Sequence, residues 1–350
     1  MIEAREQSYT KDWARETVSF LALSSIKGVG YWTLYKIASQ DIEFESIVRD
    51  SNSSEEFDSY FDKVGARPPK REEKWDEFQQ VLWTTGNRLF KDLRIANIRV
   101  RHFNEPTFPE KLKRIHEPPR WLFIQGNEEL LHRKSIAIVG TRKPTEDGIF
   151  LAKYIGACVR QFDTATISGL ASGIDQIIHK QSIRFKVPTV AVLGTGIFLN
   201  YPAGSDIPRN DILTHGGAIV TEYLPYQSYS SQNFVRRNRI QAGLAEIVIP
   251  AQWRARSGTA HTVRYAVEGE KKVLCLRLPE DNLDQYDWIS LADKLNLQIF
   301  TIPGEESRLV AALSEDIPRM LPGSYSSRTP INEIQDTDIV DISSSQLSLF

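Results

Sequence analysis

Short apolar runs that end at a glycine or a polar loop recur along residues 135–278, and this repeat most constrains how the chain folds. Each run has the length of a buried strand, and segments with helical periodicity separate the runs. The predicted strands cover residues 135–139, 164–167, 189–193, 218–222, 246–250 and 272–277, and the predicted helices cover 148–161, 173–185, 206–215, 236–245 and 258–269. Strands that alternate with helices predict an α/β fold with a doubly wound parallel sheet. The loops at the strand ends then share one edge, where ligands of such sheets bind.

Several loops of the predicted edge carry groups suited to phosphate. Glycines allow close backbone approach, helix N-termini offer free N–H groups, and arginine or lysine adds positive charge. The candidate phosphate-binding residues are Gly140, Thr141, Arg142 and Lys143 after the first strand, Ser168, Gly169 and Gly173 after the second, Gly194 and Gly196 after the third, and Arg256, Ser257, Gly258 and Thr259 before a later helix. Together they predict an edge that binds a polyanion.

The densest group of cations lies beside an aromatic residue. The group comprises Asn233, Phe234, Arg236, Arg237 and Arg239. We predict that its arginines stand at the N-terminal end of a helix beginning near residue 236, where a bound polyanion relieves their mutual repulsion. Phe234 is suited to stacking on a base of a single strand. The alternative is a solvated basic face with Phe234 in the core.

Gly194-Thr195-Gly196 also resembles the start of a dinucleotide-binding fingerprint. Leu199 stands where that fingerprint has its third glycine, and turn residues follow, so we expect no nicotinamide cofactor. The scattered histidines predict no metal site. Asp175 opens a predicted helix with His179 one turn further on, within reach of its carboxylate. Asp175 is either a helix cap or half of a catalytic pair whose nucleophile the sequence does not identify.

Residues 1–93 are predicted to form a helical domain. Gly28 and Gly30 separate two segments of helical pattern in the manner of a helix-hairpin-helix element. The turn between them either presents N–H groups to a DNA phosphate or serves as a tight connection. Residues 50–58, rich in serine and acidic residues, are expected to form a loop.

Composition narrows the class of protein. The 350-residue chain is 41% hydrophobic and 25% charged, as is typical of a globular protein. No apolar run reaches the length of about 18 residues that a membrane span needs. Cys158 and Cys275 lie in apolar contexts, so we expect reduced thiols, a cytoplasmic location and no membrane partner. With a net charge of -2, nucleic-acid binding must depend on a local basic patch.

Residues 108–278 resemble the DprA/Smf family of bacterial DNA-processing proteins. The resemblance depends on five motifs in order: Gly140-Thr141-Arg142; Ser168-Gly169-Leu170-Ala171-Ser172-Gly173-Ile174-Asp175; Gly194-Thr195-Gly196 with Tyr201-Pro202; Asn233-Phe234 with Arg237-Asn238-Arg239-Ile240 and Ala242-Gly243; and Arg256-Ser257-Gly258-Thr259. It implies an extended Rossmann-like domain, which we place at residues 94–303, and a homodimer.

The resemblance also implies a function. Members bind single-stranded DNA and load a RecA-type recombinase onto it, so we expect a non-enzymatic DNA-binding protein. Arg142, Arg237 and Arg239 are implied to contact DNA phosphates. Two features differ from the family pattern: no lysine follows the Tyr-Pro pair, where Arg209 is the nearest base, and we expect no C-terminal winged-helix domain.

Residues 304–322 are predicted to add a helical extension, and residues 323–350 a flexible tail rich in Ser, Thr and Asp. The tail ends in Gln346-Leu347-Ser348-Leu349-Phe350, which resembles the peptide by which bacterial DNA proteins bind the polymerase sliding clamp. A flexible tether, a polar anchor and apolar side chains suit that role. The alternative is an apolar end that docks on its own domain.

Two other functions remain open. Nucleotide phosphoribohydrolases similar to the LOG group share this superfamily fold and use a Gly-Gly-x-Gly-Thr-x-x-Glu motif. Here Ala260-His261-Thr262 follows Gly258-Thr259, so the catalytic glutamate is missing. A nucleotide-binding sensor or hydrolase is therefore the second hypothesis. A scaffold or defence-associated protein that mainly contacts partners is the third.

Overall fold

The computed structural model describes residues 11–279 and 286–320. They divide into two compact units, a smaller one of residues 11–108 with Arg120–Phe123, and a larger one of Pro109–Pro119 with the chain from Ile124 onward. The smaller unit extends beyond residue 93, where we expected the helical domain to end, because a strand after the last helix belongs to it.

Helices form most of the smaller unit. Its elements are α1 (Trp13–Ser24), α2 (Tyr31–Ser39), a π-helical turn (Ser46–Asp50), α3 (Ser54–Lys63), α4 (Trp75–Ile95), strand β1 (Ile98–His102) and the start of strand β2 (Trp121–Gly126). The prediction of N-terminal helices is confirmed. Between α1 and α2, Gly28 has a φ of +94°, which residues with a Cβ rarely adopt, and Gly30 is the N-cap of α2.

The expectation of a loop over residues 50–58 is wrong, because α3 begins within it. Ser53 caps this helix by accepting a hydrogen bond from the Glu56 N–H at 3.2 Å. The Glu56 carboxylate in turn accepts from the Asn52 N–H at 2.8 Å. This reciprocal capping satisfies N–H groups at the helix start and outweighs the modest helix propensity of serine.

Strands and helices alternate in the larger unit. Its elements are α5 (Glu110–Lys113), the end of β2, a 3-10 turn (Glu128–Leu131), β3 (Ser135–Gly140), α6 (Glu146–Cys158), a second 3-10 turn (Val159–Gln161), β4 (Ala165–Ser168), α7 (Ile174–Arg184), β5 (Thr189–Val192), α8 (Asp206–Thr214), β6 (Ala218–Thr221), α9 (Ser231–Leu244), β7 (Ile247–Gln252), α10 (Gly258–Glu268), β8 (Lys272–Arg277), α11 (Ile289–Lys294), β9 (Gln298–Thr301) and α12 (Glu306–Ser314). Every strand and helix predicted within residues 135–278 is present, and the largest shift is the earlier start of α9.

Within the larger unit the strands follow the order β6-β5-β4-β3-β7-β8-β9, and neighbouring strands are parallel. Strand β3 pairs on both sides, with Ile136 opposite Thr166 of β4 and Ile247 of β7. The chain therefore winds outward from β3 to β6 on one side and from β7 to β9 on the other. The doubly wound parallel sheet is confirmed, and its switch point lies between β3 and β7.

The central strands are buried on both faces. Ile136 and Ala137, on opposite faces of β3, and Ile247 and Val248, on opposite faces of β7, are each 0% exposed. Ile155 of α6 belongs to the same core cluster as Ile136 and Ile247. Helices that cover both faces explain why the sequence shows continuous apolar runs rather than alternation. Among the described residues, no helix has the length and apolarity needed to cross a membrane.

Both cysteines are buried free thiols, in keeping with their apolar surroundings. Burial raises the pKa of Cys158 to about 11 and that of Cys275 to about 12. The thiolate is the reactive form of cysteine, so neither thiol is suited to nucleophilic chemistry at neutral pH.

Replacing Gly86 by alanine tests the packing of α1 against α4. Gly86 is buried on α4, where a Cβ would overlap the Val18 carbonyl oxygen and lie 3.0 Å from the Ala22 Cβ. Alanine gains up to about 1 kcal/mol of helix propensity, but overpacking costs about 1–3 kcal/mol. We therefore expect Gly86→Ala to lower the unfolding temperature measured by circular dichroism.

Thr84→Ala, at an exposed position of the same helix, is the matched control for the gain in helix propensity. We expect it to keep or raise the unfolding temperature. A Gly86→Ala protein that is as stable as Thr84→Ala would show that the two helices do not need the close approach at this position.

Candidate functional site

The loops that follow strands β3 to β7 meet at one edge of the larger unit's sheet, called here the strand-end edge. They cover residues 141–145 after β3, 169–173 after β4, 193–205 after β5, 222–230 after β6 and 253–257 after β7. Because the strands are parallel neighbours, these loops lie side by side. The residues expected to bind phosphate fall within these loops or on the adjoining ends of strands and helices.

The loop after β3 exposes two cations. The Thr141 N–H donates to the Gln252 carbonyl at 2.8 Å and holds the loop to the end of β7. Gly173 has a φ of +86°, and a Cβ there would lie 2.7 Å from the Arg142 carbonyl oxygen. The side chains of Arg142 and Lys143 remain exposed. The turn after β3, which is hydrogen-bonded to the end of β7, therefore presents both charges to solvent.

Aromatic rings lie beside these cations. The Arg142 guanidinium is 4.9 Å from the centre of the Phe234 ring. The Tyr201 ring lies 5.2 Å from Phe234 and 4.1 Å from Tyr229. Phe234 is half-buried in this cluster rather than part of the core. Phe234, Tyr201 and Arg237 are among the residues that line a small pocket.

The glycines of the loop after β5 serve packing. A Cβ on Gly194 would lie 2.5 Å from the Phe234 ring, so only glycine leaves room for the ring in this position. The Gly196 N–H donates to the Gln227 carbonyl at 2.8 Å. That N–H is therefore not offered to a phosphate, and the prediction that Gly196 binds phosphate in this way is wrong.

The residues at the end of β4 and on α7 are more deeply buried than expected. Ser168 is 0% exposed, and its hydroxyl donates to the Ile138 carbonyl at 2.7 Å, so its predicted phosphate contact is wrong. The His179 ring bonds to the Thr189 hydroxyl at 2.8 Å and to the Gly169 carbonyl. Burial lowers the pKa of His179 to about 4, so the ring is neutral at pH 7.

Asp175 and Arg237 lie together as buried opposite charges beneath Gly169. They are 6% and 5% exposed, and a Cβ at Gly169 would collide with both side chains. Burial raises the pKa of Asp175, an effect that Arg237 opposes, and burial lowers the pKa of Arg237. The Arg237 Nη1 donates to the Val192 carbonyl. Asp175 is thus next to Arg237, and the catalytic pair considered for it with His179 is not formed, since both ring nitrogens of His179 bond elsewhere.

Helix α9 begins earlier than predicted. Ser230 caps it by accepting from the Asn233 N–H at 3.0 Å, so the helix starts at Ser231. The arginines over residues 236–239 therefore lie beyond the first turn. The prediction that their charges add to the free N–H groups of the helix start is wrong.

Arg239 and Arg236 form ion pairs instead of an exposed cluster. Arg239 is 2% exposed and donates to both carboxylate oxygens of Glu222, at 2.5 and 2.6 Å, and to the Glu117 carbonyl at 2.8 Å. Arg236 reaches the Glu117 carboxylate at 2.8 Å. The expectation of solvent-facing arginines is wrong at these positions, because carboxylates relieve the repulsion that we attributed to a bound polyanion.

The loop after β7 adds another exposed cation, Arg256. Ser257 caps α10, its hydroxyl accepting a hydrogen bond from the Ala260 N–H. Thr259 is 7% exposed, and the Gly258 carbonyl accepts from the Asn238 side chain at 3.0 Å. Within this motif, Arg256 and the exposed Gly258 are therefore the positions open to a ligand from solvent.

Arg209 has a role that the sequence did not reveal. It is 8% exposed and donates to the carbonyls of Ile197 at 2.5 Å and Leu199 at 2.9 Å, and to the Asn200 side chain at 3.0 Å. It therefore holds the loop after β5 in shape and does not replace the missing lysine at the surface. A cation that binds backbone carbonyls leaves no periodic signal in a sequence.

Two further groups of predicted residues are not among the described residues of the larger unit. Gly28 and Gly30 belong to the smaller unit. The peptide from Gln346 to Phe350 lies outside the described residues. The roles predicted for both groups stay predictions.

The doubly wound sheet and the exposed cations at its strand ends define a Rossmann-like protein whose edge is suited to anions. Residues 99–287, more than half of the chain, match the family model described as DNA recombination-mediator protein A. The chain belongs to this family, and the resemblance to DprA/Smf proteins is confirmed.

Curated relatives carry the same names. The chain is 33% identical over 198 residues to Protein Smf of Synechocystis, which covers 54% of this chain and 48% of that protein. It is 32% identical over 200 residues to DNA processing protein DprA of Bacillus subtilis, which covers 57% of this chain and 66% of that protein. The matched region thus spans between about half and two thirds of these relatives' length.

Solved structures share the fold. DNA processing protein A from Streptococcus pneumoniae superposes with a TM-score of 0.63 at 22% identity, covering 84% of this chain and 97% of that one. DNA processing protein A from Helicobacter pylori gives a TM-score of 0.55 at 22% identity, covering 63% and 97%, and its structure concerns its single-stranded DNA binding mode. At this identity the likeness establishes the fold.

Glu222→Gln tests how far the buried ion pair supports the strand-end edge. The substitution leaves Arg239 buried without its countercharge, which costs about 3 kcal/mol or more. Glu117→Gln is the matched control, since the Glu117 side chain is 48% exposed and an exposed pair contributes less than about 1 kcal/mol. Urea unfolding measures both free energies. Equal losses for the two variants would contradict a dominant role for the buried pair.

Proposed function

We propose that this chain binds single-stranded DNA along the strand-end edge and does so without acting as an enzyme. The observation that carries the proposal is the exposed Arg142 guanidinium, 4.9 Å from the Phe234 ring, with the exposed Lys143 next to it. A positive charge beside an aromatic face suits a polymer that has one phosphate for each base. Contacts of this kind read no base edge, so the binding tolerates any sequence.

Four cations supply the phosphate contacts in this proposal. Arg142, Lys143 and Arg256 are exposed on neighbouring loops. Arg237 is 5% exposed and lies next to Asp175, but it lines the pocket with Phe234, so it contacts only a phosphate that enters this pocket. Arg239 stays in its ion pair and acts by holding α9 in place.

The comparisons support a role in recombination. The family is described as a DNA recombination-mediator protein, and the structure of the Helicobacter pylori protein concerns single-stranded DNA binding. We propose further that the chain, as a homodimer, passes single-stranded DNA to a RecA-type recombinase during DNA processing in transformation or recombination.

The glycine turn of the smaller unit is proposed as a second contact with a DNA backbone. Gly30 opens α2 without a side-chain cap, and Gly28 turns the chain ahead of it. A helix start carries the positive end of the helix dipole, which suits a phosphate. The exposed Lys27 adds a positive charge to the same turn.

Arg142→Ala/Lys143→Ala is expected to weaken binding to a labelled single-stranded oligonucleotide. If about four phosphates are neutralised, the log–log salt slope is about −3, and affinity falls about 60-fold between about 50 and 200 mM salt. Removing two of the four contacts lowers the slope to about −1.5. Fluorescence anisotropy at several salt concentrations measures the slope for both proteins.

Arg184→Ala is the matched control, because it removes an exposed cation from the far end of α7. It is expected to bind as wild type does. A salt-independent affinity of the wild type, or wild-type binding by the double variant, would count against the proposal. Release of a free base from a nucleoside monophosphate would favour the nucleotide hydrolase instead.

The peptide of residues 346–350 is proposed to bind the polymerase sliding clamp. Leu347→Ala/Phe350→Ala removes the apolar side chains that such a pocket needs, so we expect loss of clamp pull-down. Ser348→Ala is the matched control and keeps it. Affinity for single-stranded DNA is expected to stay the same in both variants. Pull-down that survives deletion of the whole peptide would remove this hypothesis.

A further inference from the structure

The loop after β6 carries two exposed aromatic rings that the proposed phosphate contacts do not use. Tyr226 is 62% exposed and Tyr229 is 54% exposed. Tyr226 stacks on Phe198, with ring centres 5.0 Å apart and planes 25° from parallel. Tyr229 lies on Tyr201, with ring centres 4.1 Å apart and planes at 30°. Each exposed ring is thus supported by a second ring and keeps much of its surface in solvent.

Hydrogen bonds between the loops after β5 and β6 hold the backbone on both sides of Tyr226. The Phe198 N–H donates to the Pro225 carbonyl at 3.0 Å, one residue before Tyr226. The Gly196 N–H donates to the Gln227 carbonyl at 2.8 Å, one residue after it. The backbone around Tyr226 is therefore held in place from both sides. A surface that is already ordered loses less conformational entropy when a ligand binds.

The position of the rings favours a nucleic acid over an apolar partner. The Tyr229 ring lies 6.3 Å from Phe234, and Phe234 in turn lies 4.9 Å from the Arg142 guanidinium. The pair of Tyr229 and Tyr201 thus continues directly from Phe234 and the exposed Arg142. Single-stranded DNA offers this combination of phosphates and unpaired bases, and stacking on an aromatic ring is open to every base. An apolar protein surface offers no negative charge to pair with the adjoining Arg142.

We propose that Tyr226 and Tyr229, supported by Phe198 and Tyr201, form a base-stacking platform that extends the DNA path beyond the phosphate-binding cations. The inference rests on the proposed function and names what the platform recognises, the unpaired bases. Duplex DNA keeps its bases stacked inside the helix, so it does not use the platform.

Two oligonucleotides of equal length separate stacking from phosphate binding: an oligothymidylate, and an oligomer with the same backbone and abasic sites throughout. Tyr226→Ala/Tyr229→Ala is expected to lower affinity for the first by about 30-fold or more, since two stacking contacts are lost. Affinity for the abasic oligomer is expected to stay the same. Tyr226→Phe/Tyr229→Phe keeps both rings and is expected to bind both oligonucleotides as wild type does.

A fluorescent purine analogue in the oligonucleotide gives a second measurement, because stacking on an aromatic ring quenches its emission. Quenching is expected with wild type and the phenylalanine variant, and not with the alanine variant, whose unfolding temperature is measured alongside. An equal loss on both oligonucleotides, or no loss on either, overturns the platform while DNA binding by the cations stands. Altered self-association with unchanged DNA affinity assigns the rings to a protein contact and also overturns it. A wild type that binds neither oligonucleotide overturns the proposed function and the platform together.

Discussion

The ion pair between Glu222 and Arg239 holds helix α9 against the end of β6, and the strand-end edge depends on that position. Glu222 is 1% exposed and accepts two hydrogen bonds from one guanidinium, which also reaches the Glu117 carbonyl. A charge in such surroundings is stable only while its partner is present. Phe234 and Arg237 project from the same helix. The position of the pocket that they line therefore depends on the ion pair between Glu222 and Arg239, which lies outside the pocket.

The parallel sheet could be predicted from the sequence because burial of its strands leaves a local pattern of apolar residues. Ile136 to Val139 of β3 are buried on both faces of the sheet, so all four residues are apolar, and the apolar run ends next to Gly140, the last residue of the strand. Helix α3 could not be predicted from composition. Its start depends on one hydrogen bond from Glu56 to the Ser53 side chain and another from Asn52 to the Glu56 carboxylate, which outweigh the propensities of the residues around them.

The candidate site could be predicted only in part, for a reason that its arginines show. The order of strands and helices alone places the loops at one edge of the sheet, so the strand pattern predicts that Arg142 lies beside the other strand-end loops. Which arginines face solvent depends on carboxylates far away in sequence. Arg239 pairs with Glu222 and Arg236 pairs with Glu117, and neither pair has the sequence spacing of neighbours on one helix. The sequence motifs do not distinguish between these arginines. In the folded protein Arg236 and Arg239 pair with carboxylates, whereas Arg142 is exposed to solvent.

This division of the arginines limits what electrostatics contributes to binding. The chain carries a net charge of -2, so the whole molecule does not attract DNA from a distance. At physiological ionic strength the exposed cations act over about 8 Å, which restricts them to phosphates already at the edge. Stacking on aromatic rings is not screened by salt. In the proposed binding mode, stacking on the exposed Tyr226 and Tyr229 therefore adds free energy that a sparse set of cations does not supply.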